Sequence, residues 1–201
     1  MPKVRASRER PKQKVASHTS GELLDFASAA IMRFMSGRGA SAAYHYRQAD
    51  RSDVRDMARI RSVDLGSEDY WLGHIGSYFD RTFHPEEALG PRMGYVAANA
   101  NHELVGFAAG HLTRRFDCEG ELAWISVLTD YRAQGIGATL MRFMASWFAL
   151  QRARRVCVDV SPTNANARRF YEGLGAVPLK RHWYVWDDIT LLAVHMPTAG
   201  A

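Results

Sequence analysis

The sequence lacks a long apolar segment and contains only two cysteines. No apolar run approaches the roughly 18 residues of a membrane-spanning helix, and no secretory signal pattern is present, so neither a membrane span nor export is expected. Cys118 and Cys157 are too few for a disulfide framework and are expected as free thiols in a reducing compartment, which predicts a cytoplasmic protein. Cys157 lies inside the apolar run RVCVDV and is predicted to be a small core residue.

An excess of positive charge is also lacking outside the first fourteen residues. That segment has six basic residues against one acid, which accounts for the whole net charge of +5. The basic pI therefore describes a tail and does not indicate a nucleic-acid-binding face, so no specific nucleic-acid partner is predicted. Residues 1–18 are predicted to be a disordered, solvated arm; an arm that contacts RNA, the ribosome or acidic lipid is the alternative.

Residues 19–42 are predicted to form an N-terminal helix and a linker. Thr19 and Glu22 have capping-box spacing, and the segment SGRGASAA breaks the helix. Apolar residues recur on one helical face at Leu23, Leu24, Ala27, Ile31, Phe34 and Met35. The helix is expected to pack on its own domain, with a partner protein or a membrane surface as alternatives. The eight histidines are scattered, and no metal site is predicted.

Residues 43–197 have the pattern of one compact domain with element order β-α-α-β-β-β-α-β-α-β-β. One helix separates the strands ELAWISVLT and RVCVDV, which predicts a parallel pair joined by a right-handed crossover. The other strands are expected to be antiparallel. The segments HWYVW and ITLLAVHM are predicted as the last two strands, with a turn at Asp187 and Asp188. The fold class is therefore α+β, a mixed and mostly antiparallel sheet in a three-layer α/β/α arrangement.

The segment VLTDYRAQGIGATLM, residues 127–141, predicts a phosphate-binding loop between a strand and a helix. A helix N-terminus has unpaired N–H groups and a partial positive charge, and glycines allow close approach of a phosphate to the backbone. No Gly-Lys-Ser/Thr follows, which excludes a Walker loop, and Leu140 stands where a Rossmann fingerprint requires Gly or Ala.

Three motifs in order resemble those of the GNAT superfamily of acetyl-CoA-dependent N-acetyltransferases. Its Arg/Gln-x-x-Gly-x-Gly/Ala pyrophosphate motif is matched at Arg132, Gly135 and Gly137. A second motif is matched at Asn164, Ala167, Tyr171, Glu172 and Gly175, and the domain opening is matched at Arg47, Ala49 and Asp53. The resemblance covers about residues 43–197. Ala176 replaces the family's usual Phe, and Ala133 and Gln134 leave Arg132 as the only charge of the loop, which implies modest CoA affinity.

The resemblance implies that acetyl-CoA is the co-substrate. Unpaired N–H groups near Ser126, Val127 and Leu128 would bind the pantetheine arm and the oxyanion. The pyrophosphate would lie on the loop formed by Arg132, Ala133, Gln134, Gly135, Ile136, Gly137 and Ala138. Asn164 would contact CoA or the split strand, or serve only as a helix cap.

The resemblance also implies a general base and a general acid. Glu121 is the preferred base, on a strand where Glu121, Ala123, Ile125 and Val127 share one face by the two-residue period. Glu119 is the rival base, and an ordinary edge carboxylate is the structural alternative. Tyr171 is the predicted acid, because a phenol stays protonated at neutral pH and has a proton for the departing thiolate. A packed aromatic beside Phe170 is its structural alternative.

The predicted reaction transfers an acetyl group from acetyl-CoA to a primary amine by direct attack on the thioester. The acceptor is a small molecule or a protein N-terminus; residues 164–196 resemble the corresponding segment of ribosomal-protein alanine acetyltransferases. The aromatic helix 70–79 lies where the family forms its acceptor site, and Asp64, Glu68 and Asp69 could attract a cationic amine. A non-catalytic acyl-CoA-binding regulator is the alternative function, and a homodimer is compatible with the resemblance.

Overall fold

The computed structural model describes residues 44–193, which form a seven-stranded sheet with four α-helices. The strand order is β1-β2-β3-β4-β5-β7-β6. The strands are β1 His45–Gln48, β2 Ala88–Ala98, β3 Leu104–Thr113, β4 Gly120–Val127, β5 Val156–Asp159, β6 Val177–Lys180 and β7 Trp183–Trp186. The helices are α1 Val54–Ser62, α2 Glu68–Phe79, α3 Ile136–Leu150 and α4 Ala165–Gly173.

One strand pair of the sheet is parallel and the others are antiparallel. Strands β4 and β5 run parallel, with Glu121 opposite Cys157 and α3 as the crossover between them. The remaining neighbours pair antiparallel. The predicted mixed sheet with one parallel β-α-β unit is confirmed.

Two apolar cores lie on opposite faces of the sheet. On β2, Tyr95 and Ala97 face the core shared with α3 and α4, whereas Val96 and Ala98 face the core shared with α1 and α2. This alternation follows from the two-residue period of a strand, because helices cover both faces of the sheet. The result is the predicted three-layer arrangement.

Side-chain caps fix where the helices on the α1–α2 face begin. The Asp50 side chain accepts from the Ser52 N–H ahead of a short 3-10 turn that leads into α1. The Ser67 hydroxyl accepts from the Tyr70 N–H at the start of α2. Both residues satisfy N–H groups that have no partner within a helix.

The prediction for the end of the chain was wrong. Strand β7 pairs with β6, a strand the sequence did not indicate, and residues 189–192 form a 3-10 helix where a strand was predicted. The Asp188 side chain accepts from the Thr190 N–H, which favours a helical turn over an extended segment. The predicted basic tail, the N-terminal helix and residues 194–197 lie outside the described residues.

Candidate active site

Strands β4 and β5 separate into a gap after only three paired residues. Their ladder ends at Leu122 opposite Val158, while β4 continues to Val127 against β3. The β3–β4 register shifts between Ala109, opposite Trp124, and Gly110, opposite Leu122, so Ala123 is an extra residue. Such a bulge bends a strand and strengthens its twist. This bend leaves the gap beside the second half of β4.

The bulge also changes which side chains of β4 share a face. Leu122 and Ile125 pack with the α3 core, whereas Trp124 packs with the α1–α2 core. Glu121 therefore lies on the same face as Trp124 and Ser126. The predicted face of Glu121, Ala123, Ile125 and Val127 was wrong, because a strict two-residue period does not hold across an extra residue.

Backbone N–H groups of β4 face the gap. The Leu128 N–H donates to the Val105 carbonyl at 2.9 Å, on the β3 side. The preceding residue, Val127, directs its peptide groups to the other side, because these groups alternate along a strand. The Val127 N–H is therefore placed toward the gap, in the segment predicted to bind the pantetheine arm.

The loop before α3 has the conformation of an anion-binding cradle. Ala133 and Gly135 both have left-handed dihedrals, with φ of 59° and 80°, and Gly135 is the N-cap of α3. A Cβ added at Gly135 would meet no atom within 4 Å, so the space beside it is open. Successive N–H groups in such a turn point inward, and the first turn of α3 adds its own unpaired N–H groups. The segment from Gln134 to Ala138 thus offers donors suited to a pyrophosphate.

Tyr44 and Asp130 hold the cradle from outside. The Tyr44 hydroxyl donates to Gln134 Oε1 at 2.5 Å, and Gln134 Nε2 donates to the Asp130 carbonyl at 3.0 Å. The Gln134 side chain is thus engaged away from the backbone N–H groups. Those groups remain the donors of the loop.

The Arg132 side chain is engaged outside the cradle. Its Nε donates to the Val127 carbonyl at 2.9 Å, and its guanidinium forms an ion pair with Asp64, in the loop after α1. The pair links the pyrophosphate loop to the α1–α2 face and neutralises Asp64. Asp64 is therefore poorly suited to attract a cationic amine.

Tyr171 lies beneath the gap on α4. It is 5% exposed and packs edge-on against Trp186 at a ring separation of 5.7 Å. Burial raises the pKa of the Tyr171 phenol, the positive charge of Arg61 lowers it and the negative charge of Asp159 raises it. Its hydroxyl makes no hydrogen bond within residues 44–193. The phenol is therefore neutral and has its proton available to a bound group.

The first turn of α3 packs directly against α4. A Cβ added at Gly137 would lie 3.3 Å from the Phe170 ring and 3.9 Å from Ile125. The glycine thus allows the helix with the cradle to approach the helix with Tyr171. At the start of α4, Asn164 Oδ1 accepts from the Ala167 N–H at 3.0 Å, so the cap is its observed role.

Glu121 is buried in a polar cluster on the α1–α2 face. It is 7% exposed, and its Oε2 lies 3.1 Å from Arg115 Nε and 3.5 Å from Thr113 Oγ1. Burial raises the pKa of the Glu121 carboxyl, and Arg115 opposes that rise. A carboxylate with a raised pKa in a closed site is suited to accept a proton near neutral pH.

Glu119 has a structural position. Its Oε2 accepts from the backbone N–H groups of Arg154 and Arg155, at 2.5 and 3.1 Å, in the turn before β5. These contacts tie the start of β4 to the start of β5. They direct the Glu119 carboxylate to that turn and away from the gap, which favours Glu121 over its rival.

The sequence did not indicate two charged residues beside the gap. Arg61, at the end of α1, donates from NH1 to Ser126 Oγ at 3.0 Å and lies over the Trp71 ring at 5.0 Å. Asp159 ends β5, lies 3.2 Å from His182 Nε2, and influences the pKa of both Tyr171 and Glu121. Arg61 follows Val54 and Met57 at apolar-face spacing, and Asp159 interrupts an apolar run. A charged residue on an apolar helix face and an acid inside an apolar strand are the sequence features that could have identified these two residues.

The aromatic residues of β7 divide between the two faces. The Tyr184 hydroxyl donates to Glu172 at 3.0 Å and Trp186 Nε1 donates to the Leu174 carbonyl at 2.9 Å, so both cover the sheet under α4. Trp183 lies on the other face, under the Arg115 guanidinium at 4.7 Å. Of the three, Trp183 alone is on the Glu121 face.

Within residues 44–193, no group of three or more His, Cys, Asp or Glu side chains could hold a metal ion. None of the helices there is long and apolar enough to cross a membrane. Cys118 and Cys157 are both free thiols, as the sequence predicted; both are buried, and for Cys157 this confirms the predicted core position.

Comparison with known sequences identifies relatives of this chain. The model of the family described as "Acetyltransferase (GNAT) family" matches residues 60–176. An uncharacterised N-acetyltransferase of Archaeoglobus fulgidus is 34% identical over 135 residues, covering 62% of this chain and 87% of that protein. An N-alpha-acetyltransferase of Sulfurisphaera tokodaii is 28% identical over 158 residues, covering 75% of this chain and 92% of that protein.

Solved structures share the fold. Ard1 from Thermoplasma volcanium superposes with a TM-score of 0.55 at 22% identity, over 72% of this chain and 95% of that one. A spermidine/spermine N-acetyltransferase from Vibrio cholerae gives a TM-score of 0.51 at 15% identity, over 73% and 92%. At these identities the likeness concerns the fold alone.

Proposed function

Because the chain belongs to the GNAT acetyltransferase family and is an acyltransferase, we propose that it transfers the acetyl group of acetyl-CoA to the α-amine of a protein N-terminus. The observation that carries the proposal is the gap between β4 and β5, which lies between a pyrophosphate cradle and a neutral phenol. A thioester donor requires these three features: a loop that binds its pyrophosphate, a gap that holds its pantetheine arm and an acid that protonates the departing thiolate.

The donor would lie along the open edge of β4. Its pyrophosphate accepts hydrogen bonds from the N–H groups between Gln134 and Ala138, at the positive end of α3. Its pantetheine arm follows the edge past Leu128 and Val127 and brings the thioester to the gap. Donors fixed beside the carbonyl oxygen stabilise the oxyanion there, since they need no reorganisation when charge develops.

The reaction is a direct displacement at the thioester carbon. The neutral amine attacks the carbonyl carbon, a C–N bond forms, and the carbonyl electrons move to oxygen. As the carbonyl re-forms, the C–S bond breaks and its electron pair leaves on sulfur, which takes the proton of the Tyr171 hydroxyl. The base removes one proton from the attacking nitrogen. No group on the protein is acetylated in this sequence.

Glu121 is the base we favour, acting through water. It lies on the same face as Ser126 beside the gap, and burial raises the pKa of its carboxyl. Asp159 is the second candidate, because it is an exposed carboxylate at the end of β5.

Two observations support an N-terminal α-amine as acceptor. A relative that covers most of this chain is named an N-alpha-acetyltransferase. In addition, Arg61 places a positive charge beside Ser126 while Arg132 neutralises Asp64, so the site disfavours a polycation and suits an amine next to a peptide carbonyl.

The experiment is acetyl-CoA turnover over a matched acceptor panel. We expect peptides with a free N-terminus to be acetylated on that amine, with the product located by mass spectrometry. The same peptides blocked at the N-terminus but containing lysine, and spermidine, should turn over at least about tenfold more slowly. Preferential acetylation of spermidine or lysine side chains would refute the proposed acceptor.

A further inference from the structure

A histidine on β3 directs an unpaired nitrogen at the proposed base. His111 is completely buried, and it lies opposite Glu121 in the β3–β4 register. Its Nε2 has no hydrogen-bond partner within the described residues and lies 3.7 Å from Glu121 Oε2. This separation is about 0.5 Å beyond the upper limit of an N–H···O hydrogen bond. A small shift of either side chain would close it.

The other nitrogen of the ring is held by a tyrosine of α2. Tyr78 is fully buried, and its hydroxyl lies 3.1 Å from His111 Nδ1. When the hydroxyl donates to Nδ1, the single proton of the neutral imidazole must be on Nε2. The buried chain Tyr78–His111–Glu121 thereby directs an N–H at the carboxylate.

Burial is the main reason that His111 is neutral. Together with the positive charges of Arg92 and Arg115, which act in the same direction, it lowers the pKa of His111 to about 4. The groups around Glu121 are Arg115, Thr113 and His111, with Cys157 and Asp159 across the parallel pair, and its charge also acts on Tyr78 and Cys118. Among these groups, His111 offers Glu121 an uncharged N–H donor, whereas the donor of Arg115 is charged. Arg115 is already engaged with Glu121 and with the Glu86 carbonyl.

We propose that His111 is a positioning residue, which donates from Nε2 to the Glu121 carboxylate and sets its orientation and proton affinity. The proposal rests on the proposed role of Glu121 as base. His111 neither touches the acceptor nor transfers a proton; it acts through Glu121. A hydrogen bond to the charged form of a carboxyl favours that form, so this donor keeps Glu121 ready to accept a proton.

The wild-type ring can be tested directly by NMR. Long-range ¹H–¹⁵N correlation at pH 7, with assignment by a His111→Gln variant, reports which nitrogen has the proton. We expect the neutral Nε2–H form, and a shift toward mixed tautomers in Tyr78→Phe. An Nδ1–H ring or a doubly protonated ring in the wild-type protein would overturn the proposal.

The second test is the pH dependence of kcat/KM with acetyl-CoA and a peptide acceptor. His111→Leu should move the acidic limb upward by about half a pH unit or more, because the carboxylate loses a donor. His111→Gln retains an amide donor and should restore most of that shift. A lower rate in His111→Leu with the limb unmoved would indicate a merely structural role and overturn the inference.

Glu121→Gln separates this inference from the proposed function. If the wild-type protein turns over no amine, the proposed function fails. If it is active and Glu121→Gln leaves the acidic limb unchanged, acetyl transfer stands and the inference about His111 fails. If the wild-type protein is active and Glu121→Gln changes the acidic limb, His111→Leu should cause no further change of that limb in the Glu121→Gln background.

Discussion

Three carboxylates lie along the β4–β5 pair, and their surroundings differ. Glu119 accepts two backbone N–H groups, Glu121 is buried beside Arg115 and His111, and Asp159 is exposed next to His182. All three have the same side-chain chemistry. Their partners therefore distinguish a carboxylate that ties two strands together, one whose pKa is raised by burial and one that remains in solvent.

We predict that Glu121→Gln lowers kcat at neutral pH by about tenfold or more and removes the acidic limb of the profile, because its carboxylate is lost as proton acceptor. Glu119→Gln is the matched comparison. It should lower stability by about 1 kcal/mol or less, since both N–H donors lie in an exposed turn and lose only the charge of their acceptor, while the limb stays in place. If Asp159→Asn moves the limb and Glu121→Gln does not, the base is Asp159.

Buried His111 should also make stability depend on pH. Its folded-state pKa is lowered to about 4 from an ordinary value of 6.5. The unfolded chain therefore binds more protons between these values, so stability is fully present above pH 6.5 and is lost as pH falls toward 4. The loss should reach about 3 kcal/mol, given 1.36 kcal/mol per pKa unit.

Urea unfolding at pH 5 and pH 7 measures this effect. The difference in unfolding free energy between the two pH values should be smaller in His111→Gln than in the wild-type protein. Equal differences in the two proteins would show that His111 titrates normally in the folded state.

At the scale of elements, the site depends on an irregular strand and on an irregular helix start. The bulge at Ala123 bends β4 away from β5, and the left-handed residues Ala133 and Gly135 shape the cradle before α3. The glycine spacing predicted the left-handed start of α3 at Gly135, because glycine is the residue that adopts such dihedrals at low cost, but it did not predict the left-handed Ala133. No residue in the alternating sequence of β4 indicates the bulge. The prediction that Glu121 shares a face with Ile125 and Val127 was therefore wrong.

The cradle is tested by Gly135→Ala, with Gly173→Ala at the end of α4 as the matched control. An added Cβ meets no atom within 4 Å at either position, but only Gly135 has a positive φ, of 80°. Gly135→Ala should lower stability by about 1 kcal/mol and weaken acetyl-CoA binding several-fold, because a methyl group narrows the cradle. Gly173→Ala should be neutral or stabilising by about 0.5–1 kcal/mol, with unchanged binding.

Calorimetric titration with acetyl-CoA and thermal unfolding measure the two effects. Unchanged acetyl-CoA affinity in Gly135→Ala would show that the pyrophosphate does not approach this loop.

At the scale of the whole molecule, the fold brings together residues that are distant in sequence. Arg61, Glu121, Asp159 and Tyr171 come from two helices and two strands. The charges of Arg61 and Asp159 both act on the Tyr171 phenol, and Asp159 also acts on the Glu121 carboxyl. The β-α-β unit and the two motifs around it could be predicted because each is local. Arg61 and His111 could not be assigned a role, because their partners Ser126 and Tyr78 lie 65 and 33 residues away.

The C-terminal strands show the same limit. The sequence favoured a hairpin around Asp187 and Asp188, but the strand that pairs with β7 precedes it, at Val177–Lys180. Val177 and Pro178 there are exposed, so the strand has little apolar alternation. This segment is extended because it pairs with β7, and the local sequence pattern does not indicate that pairing.

The central claim is that the chain transfers acetyl groups from acetyl-CoA at the gap above Tyr171. The most direct test is CoA release with saturating acetyl-CoA and a free-N-terminus peptide, comparing the wild-type protein, Tyr171→Phe and the core control Tyr95→Phe. We predict that Tyr171→Phe lowers kcat by about tenfold or more while the acetyl-CoA Kd stays within about twofold; Tyr95→Phe should change neither. An unchanged kcat in Tyr171→Phe, or acetyl-CoA binding by the wild-type protein without turnover of any amine, would contradict the claim.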